Sequence, residues 1–127
     1  MEFLMGYRSD VAFILSDKAS KLFNKSLKEL PKEDKEDVQT LLSNADEHYV
    51  HESGAELWYW TWVKWYSEYK SVSFIENFIN IDIKNDEYLL LIIGEEIQDI
   101  NESGGYYDNP FDACIERSIR FFTPKCN

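Results

Sequence analysis

The chain is poor in basic residues. Thirteen lysines and arginines stand against 24 aspartates and glutamates in 127 residues, and the net charge is −11. Proteins that bind nucleic acid need lysine and arginine to displace the counterions of the phosphates. The composition therefore argues against direct binding of nucleic acid, and it favours a protein partner with a basic surface.

Cysteine is scarce, with one thiol at Cys114 and one at Cys126. A chain of this length is expected to form one domain, residues 1–127, and to bury enough surface to be stable without disulfides. No secretory signal is recognisable, and residues 1–4 are expected to be a loose extension. Both cysteines are therefore expected to be reduced thiols of a cytoplasmic protein.

Long apolar runs are missing, since residues 89–93 fall far short of the roughly 20 residues that a membrane helix needs. Metal-binding motifs are weak as well. His48 and His51 lie an odd number of positions apart on a predicted strand, so their side chains should point to opposite faces. The sequence thus predicts neither contact with a membrane nor a histidine metal site.

The acidic residues could form a calcium site or an acid–base catalytic pair, and the sequence favours neither. The pattern Asp99-x-Asn101-x-Ser103-Gly104 has the spacing of the first half of a calcium loop, but Pro110 stands where that loop needs a carboxylate. A solvated acidic turn is the preferred interpretation. The carboxylate pairs Glu95–Glu96 and Asp99–Glu102 lack the apolar surroundings that would raise the pKa of one member for acid–base catalysis. We therefore predict no catalytic residue, no metal and no cofactor.

Residues 57–66, LWYWTWVKWY, are the most strongly patterned part of the chain. Alternation along a strand places Trp58, Trp60 and Trp62 on one face, with Leu57 and Tyr59 among the residues on the other. Apolar side chains on both faces are typical of a strand inside a sheet. The three tryptophans are expected to be core or a homodimer interface, with a partner-binding site as the alternative.

The rest of the pattern predicts an α+β fold. We expect a strand at 11–15 and two helical segments at 17–30 and 33–45, with Asp17 as the cap of the first. A hairpin around 53–55 follows, and then a helix that begins with a capping box at Ser73 and Glu76. Further strands are expected at 88–93 and 115–121. This order matches a ferredoxin-like split β-α-β sandwich, an antiparallel sheet with helices on one face and an extra C-terminal strand. The other face of the sheet is expected to be open unless another element covers it.

Negative charge is concentrated late in the chain, where residues 82–116 hold ten acids against Lys84 alone. If these carboxylates lie together in the fold, they form an acidic pole that attracts a basic partner. The predicted partner-binding residues are the acids of this region and the tryptophan row: Glu95, Glu96, Asp99, Glu102, Asp108, Asp112, Trp58, Trp60 and Trp62.

The segment Met5-Gly6-Tyr7-Arg8-Ser9-Asp10-Val11 resembles the start of small uncharacterised phage and prophage proteins. Three further pieces are similar to the same group, namely residues 63–66, residues 92–96 followed by Asp99-Ile100, and residues 117–119. The resemblance implies a phage accessory protein of ferredoxin-like fold and carries no catalytic residue with it. The aromatic residues 58–62 depart from the pattern of the group.

The resemblance and the acidic pole together suggest a function. The leading hypothesis is a phage-encoded, non-enzymatic inhibitor, similar to anti-CRISPR proteins, that blocks a basic, nucleic-acid-binding site of a host defence complex in the cytoplasm of the host cell. The alternative is a structural or assembly protein that forms a homodimer through its aromatic sheet face.

Overall fold

The architecture is seen in a computed structural model, which describes residues 6–96, 98–115 and 119–123. Its elements are β1 (Ser9–Leu15), α1 (Asp17–Lys28), α2 (Lys32–Ser43), β2 (Glu47–Val50), β3 (Glu56–Val63), α3 (Lys70–Asn77), β4 (Tyr88–Gly94), β5 (Ile100–Gly104), β6 (Cys114–Ile115) and β7 (Ile119–Arg120). A π-helical turn (Phe78–Asp82) and a 3-10 turn (Asn85–Glu87) join α3 to β4. The predicted extension at residues 1–4 and the thiol of Cys126 lie outside the described residues.

Five strands form one antiparallel sheet in the order β2-β3-β1-β4-β5. The first strand is central, since Ala12 of β1 pairs with Tyr59 of β3 on one side and with Leu91 of β4 on the other. The predicted α+β class with an antiparallel sheet is confirmed. The more specific ferredoxin-like assignment stays a prediction.

The helices cover one face of this sheet. Alternation along β1 directs Val11, Phe13 and Leu15 toward the helices, where Phe13 packs against Phe23 of α1 with ring centroids 5.5 Å apart. None of the helices within the described residues has the length and apolar character needed to cross a lipid bilayer. Among the described residues, the buried cluster on the helix-facing side of the sheet is larger than the cluster on the opposite side.

The second face is not open, because the described part of the C-terminal segment is the additional element that covers it. Phe111 is fully buried there, and Ala113 and Ile119 are nearly so, against Ile14, Leu57 and Leu91 of the sheet. Within the residues that the structure describes, the predicted C-terminal strand does not join the main sheet. Residues 114–115 and 119–120 form a separate two-stranded sheet, and the additional strand of the main sheet is β5.

Two helix starts differ from the sequence prediction. Ser16, rather than Asp17, caps α1, because its hydroxyl accepts a hydrogen bond from the Ala19 N–H at 3.1 Å. The predicted capping box at Ser73 is wrong, since α3 begins at Lys70 and the Ser73 N–H already bonds to the Tyr69 carbonyl at 2.9 Å. Serine at this position lies inside the first turn of the helix.

A candidate partner-binding surface

The tryptophan row does not form one surface. Trp58 is 4% exposed and Trp60 is 1% exposed, and both pack in the core beneath the helices. The indole N–H of Trp60 donates to the Leu41 carbonyl of α2 at 2.9 Å, which satisfies its polar atom inside the core. These two residues are therefore core, and their inclusion among the partner-binding residues is corrected.

Trp62 breaks the alternation that the sequence predicts. In the pairing of β3 with β1, Ser9 lies opposite Val63 and Val11 lies opposite Trp60, so two residues of β3 face the single residue Asp10. This irregularity is a β-bulge, which shifts the side chains beyond it out of register. Trp62 adopts a φ of 59° and is 60% exposed, whereas Trp58 and Trp60 are buried.

Hydrogen bonds from three side chains hold the bulge. The Asp10 carboxylate accepts from the Trp62 N–H at 3.0 Å, and the Asp46 carboxylate accepts from the N–H and hydroxyl of Thr61 at 2.6 and 3.0 Å. The Arg8 guanidinium donates to the Trp62 carbonyl at 3.3 Å. A left-handed backbone is unfavourable for tryptophan, and such conformations persist where the surroundings impose them, often at functional sites.

Further carboxylates lie close to the bulge. Burial raises the pKa of the Tyr59 hydroxyl above its ordinary value, and the negative charges of Asp10, Glu47 and Asp46 raise it further. Three acids thus act on one tyrosine from β1, β2 and the loop before β2. Asp10 and Asp46 have both a structural contact to the bulge and a negative charge beside Trp62.

The turn between β4 and β5 adds acid at the same end of the sheet. The Glu95 carboxylate accepts from the Arg8 N–H at 2.6 Å, and the Tyr7 hydroxyl donates to Asp99. Gly94 permits this arrangement, since a Cβ there would collide with both Tyr7 and Asp99. Because β3 and β4 both pair with β1, Glu95 lies about two interstrand spacings, roughly 10 Å, from the bulge.

The predicted acidic pole divides in the fold. Glu95, Glu96 and Asp99 lie together at the β4–β5 turn, and Glu102 is exposed on β5. Asp108 lies near the opposite end of β4, because the Tyr106 N–H bonds to the Tyr88 carbonyl at 3.0 Å and Asp108 acts on Tyr106 together with Asp17.

Asp112 belongs to the same C-terminal segment as Asp108, next to the buried Phe111. Seven residues of β4 span about 20 Å, so the expectation of a single acidic surface is wrong.

We define the Trp62 surface as Trp62, Asp10, Asp46, Glu95 and Glu96. Beside it opens a cleft of about 620 Å³, and its lining includes residues of α2 together with Arg8, Asp46, Trp62, Lys64 and Tyr69, the last of which precedes α3. Tyr69 is 42% exposed, so a second aromatic ring is accessible at this cleft. The structure thus brings together an exposed aromatic anchor and acids from three separate parts of the chain.

The weaker chemical motifs do not assemble into sites. His48 stacks on Trp58 beneath the helices while His51 contacts Phe111 on the other face, as the odd spacing predicts. Asn101 and Ser103 lie in the ladder of β5 with β4, which holds them extended rather than wrapped around an ion. Within the described part of the chain, no group of three metal-ligating side chains occurs.

Sequence reasoning missed Tyr7, Arg8, Asp10 and Asp46. Arg8 and Asp10 belong to the opening segment that carries the resemblance, and Val63 and Glu95 belong to two of its other pieces. In the fold these pieces meet, since Ser9 pairs with Val63 on one side and with Gly94 on the other. No protein-family model, no curated protein and no solved structure matches the chain.

Proposed function

We propose that this protein is a non-enzymatic binding protein whose Trp62 surface docks on a basic surface of a partner protein. The observation that carries the proposal is the conformation of Trp62, which is 60% exposed with a φ of 59° at a bulge held by Asp10, Asp46 and Arg8. Exposing a large aromatic ring in an unfavourable backbone conformation costs stability, and a role in binding accounts for that cost.

The chemistry of the surface indicates the chemistry of the partner. Tryptophan is enriched among the residues that dominate binding energy at protein interfaces, and its ring face attracts the cations of arginine and lysine. Carboxylates around it accelerate the approach of a positively charged partner and disfavour an acidic one. A basic protein surface satisfies both features at once.

A host-defence role fits this proposal. Many basic protein surfaces bind nucleic acid, and an acidic protein that occupies one competes with the phosphates. The resemblance to small phage and prophage proteins, and the net charge of −11, support a defence complex of the host cell, such as a CRISPR effector, as the target. In this proposal the protein inhibits by occupying the site and catalyses no reaction.

The alternative of a homodimer through the aromatic sheet face has less support. The sheet face that carries Trp58 and Trp60 packs beneath the helices, and both rings are buried there. A dimer formed through that face would first have to displace the helices.

Capture from host lysate tests the proposal. We expect the wild-type protein to retain a basic host protein, to release it when excess nucleic acid is added, and to lose it in the Trp62→Ala variant. The matched control is Tyr107→Ala, since Tyr107 is also an exposed aromatic residue, at 67%, but lies in the C-terminal segment. Capture that survives Trp62→Ala and is insensitive to nucleic acid would contradict the proposal.

A further inference from the structure

A second cleft, of about 420 Å³, lies beneath the β4–β5 turn on the helix side of the sheet. Its floor is apolar, with Leu90 and Ile92 of β4 and Ile79 of the π-helical turn. We call it the β5 cleft. Mixed apolar and polar linings of this size are typical of sites for small ligands or single side chains.

The charged groups of the β5 cleft are of one sign. Glu76 enters it from α3 and Asp99 from the β4–β5 turn, so carboxylates reach the cleft from two separate elements. Among the described residues that line it, none is lysine, arginine or histidine. Neither carboxylate forms an ion pair within the described part of the chain.

The hydrogen bonds that these carboxylates do make are to neutral groups. Asp99 accepts from the Tyr7 hydroxyl and from the Asn101 amide at 3.3 Å, and Glu76 accepts from the Ser67 hydroxyl at 3.2 Å. The hydrogen bond to Asp99 raises the pKa of Tyr7 above its ordinary value, so the phenol stays neutral. These bonds orient both carboxylates without cancelling their charge.

Aromatic rings complete the lining. Trp65 and Tyr66 lie along the cleft, and the ring of Trp65 packs against Trp60 with centroids 5.2 Å apart. The indole N–H of Trp65 is buried and has no hydrogen-bond acceptor within the described residues.

We propose that the β5 cleft binds an organic cation, either an alkylammonium or a guanidinium group, between Glu76 and Asp99 and against Trp65. Paired carboxylates satisfy the N–H groups of such a cation, and an aromatic face stabilises its charge. The cation belongs either to a lysine or arginine side chain of the partner, in which case the site rests on the proposed function, or to a free amine.

The test uses Nα-acetyl-arginine amide as the probe and Nα-acetyl-citrulline amide as its uncharged isostere. We expect the arginine probe to shift the NMR signals of Trp65, Asn101 and Ser103, and the citrulline probe to leave them unchanged. Glu76→Gln should weaken binding roughly tenfold, since hydrogen bonds to charged groups are the strong ones. Glu68→Gln, an exposed glutamate outside this cleft, is the control and should bind as the wild type does.

Equal binding of both probes, equal binding by the Glu76→Gln variant, or signal shifts spread over the whole acidic surface would each overturn the proposal. If the probe binds and capture of the host protein is lost in Glu76→Gln, the cation belongs to the partner. If the probe binds and capture is unchanged, the cleft takes a free amine. If the Trp62 surface binds no partner protein, this titration still tests the cleft, because the probe needs no protein partner.

Discussion

The Asp10 carboxylate accepts a hydrogen bond from the Trp62 backbone N–H at 3.0 Å, and this contact ties the bulge of β3 to the central strand. Asp10 is the single residue of β1 that faces both residues of the bulge. It therefore fixes the conformation of an exposed ring and places a negative charge beside that ring. The Asp10 side chain thus supports both the bulge and the proposed binding surface.

Removing this carboxylate should disorder the Trp62 surface. We expect Asp10→Ala to lower the free energy of unfolding by about 1–3 kcal/mol, because a hydrogen bond to a charged group is lost. Urea unfolding measures the change, and Asp108→Ala, in the C-terminal segment, serves as the control. An Asp10→Ala protein as stable as the wild type would show that the contact does not support the bulge.

The two neighbouring tryptophans Trp60 and Trp62 should respond in opposite ways to truncation. Trp60→Ala removes a buried ring and should cost about 3–5 kcal/mol of unfolding free energy. Trp62→Gly should stay within about 1 kcal/mol of the wild type, because glycine adopts a φ of 59° without strain and offsets the lost ring contacts. Urea unfolding of both variants measures these changes. A large loss of unfolding free energy in Trp62→Gly would identify Trp62 as a structural residue.

A polar chain beneath α1 should contribute to stability. Glu56 is 9% exposed and accepts from the buried Ser20 hydroxyl, and its other oxygen lies 2.7 Å from Nε2 of His48. His48→Ala should cost about 1–3 kcal/mol, because it leaves a largely buried carboxylate with one partner fewer. His51→Ala, whose ring bonds to the exposed Ser53, is the control. Equal urea midpoints for the two variants would refute this role of His48.

High pH should destabilise the fold. The pKa values of Tyr7, Tyr49, Tyr59 and Tyr106 are raised above 10.0 in the folded protein, with a hydrogen bond to an acid as the largest cause for Tyr7 and Tyr49 and burial for Tyr59 and Tyr106. The folded state therefore holds these protons more tightly than the unfolded state, and the resulting stability, fully present below pH 10, is lost as the pH rises through the folded values. Urea unfolding at pH 9 and above pH 10 measures the loss. A Tyr59→Phe variant with the same slope as the wild type would contradict the assignment for Tyr59.

Local patterns predicted most elements of the fold. The short apolar run of β1, the alternation of β3 as far as Trp60, the helical spacing of α1 and the continuous apolar run of β4 are all confirmed within a few residues. Each of these patterns lies within a single segment of the sequence and does not depend on contacts between distant segments. His48 of β2 and His51, which lies just beyond that strand, also contact opposite faces of the sheet, as their spacing requires.

The candidate site could not be predicted in the same way, because it depends on contacts between distant segments. The bulge at Trp62 arises from the pairing of β3 with β1, about 50 residues away, and no local pattern records that register. The acids of residues 95–112 are neighbours in sequence, but β5 returns the chain along β4 and carries Asp108 to the other end of the sheet. The cover of the second face likewise depends on Phe111, one apolar residue in a segment with a weak pattern.

The most direct measurement is the affinity of the captured basic host protein for the wild-type protein, for Trp62→Gly and for Tyr107→Ala, determined by calorimetry at two salt concentrations. We expect Trp62→Gly to bind at least tenfold more weakly, as loss of a central aromatic anchor does at other interfaces. Wild-type binding should weaken as salt rises, because exposed charges are screened. Equal affinities for all three proteins, with no dependence on salt, would contradict the role of the Trp62 surface.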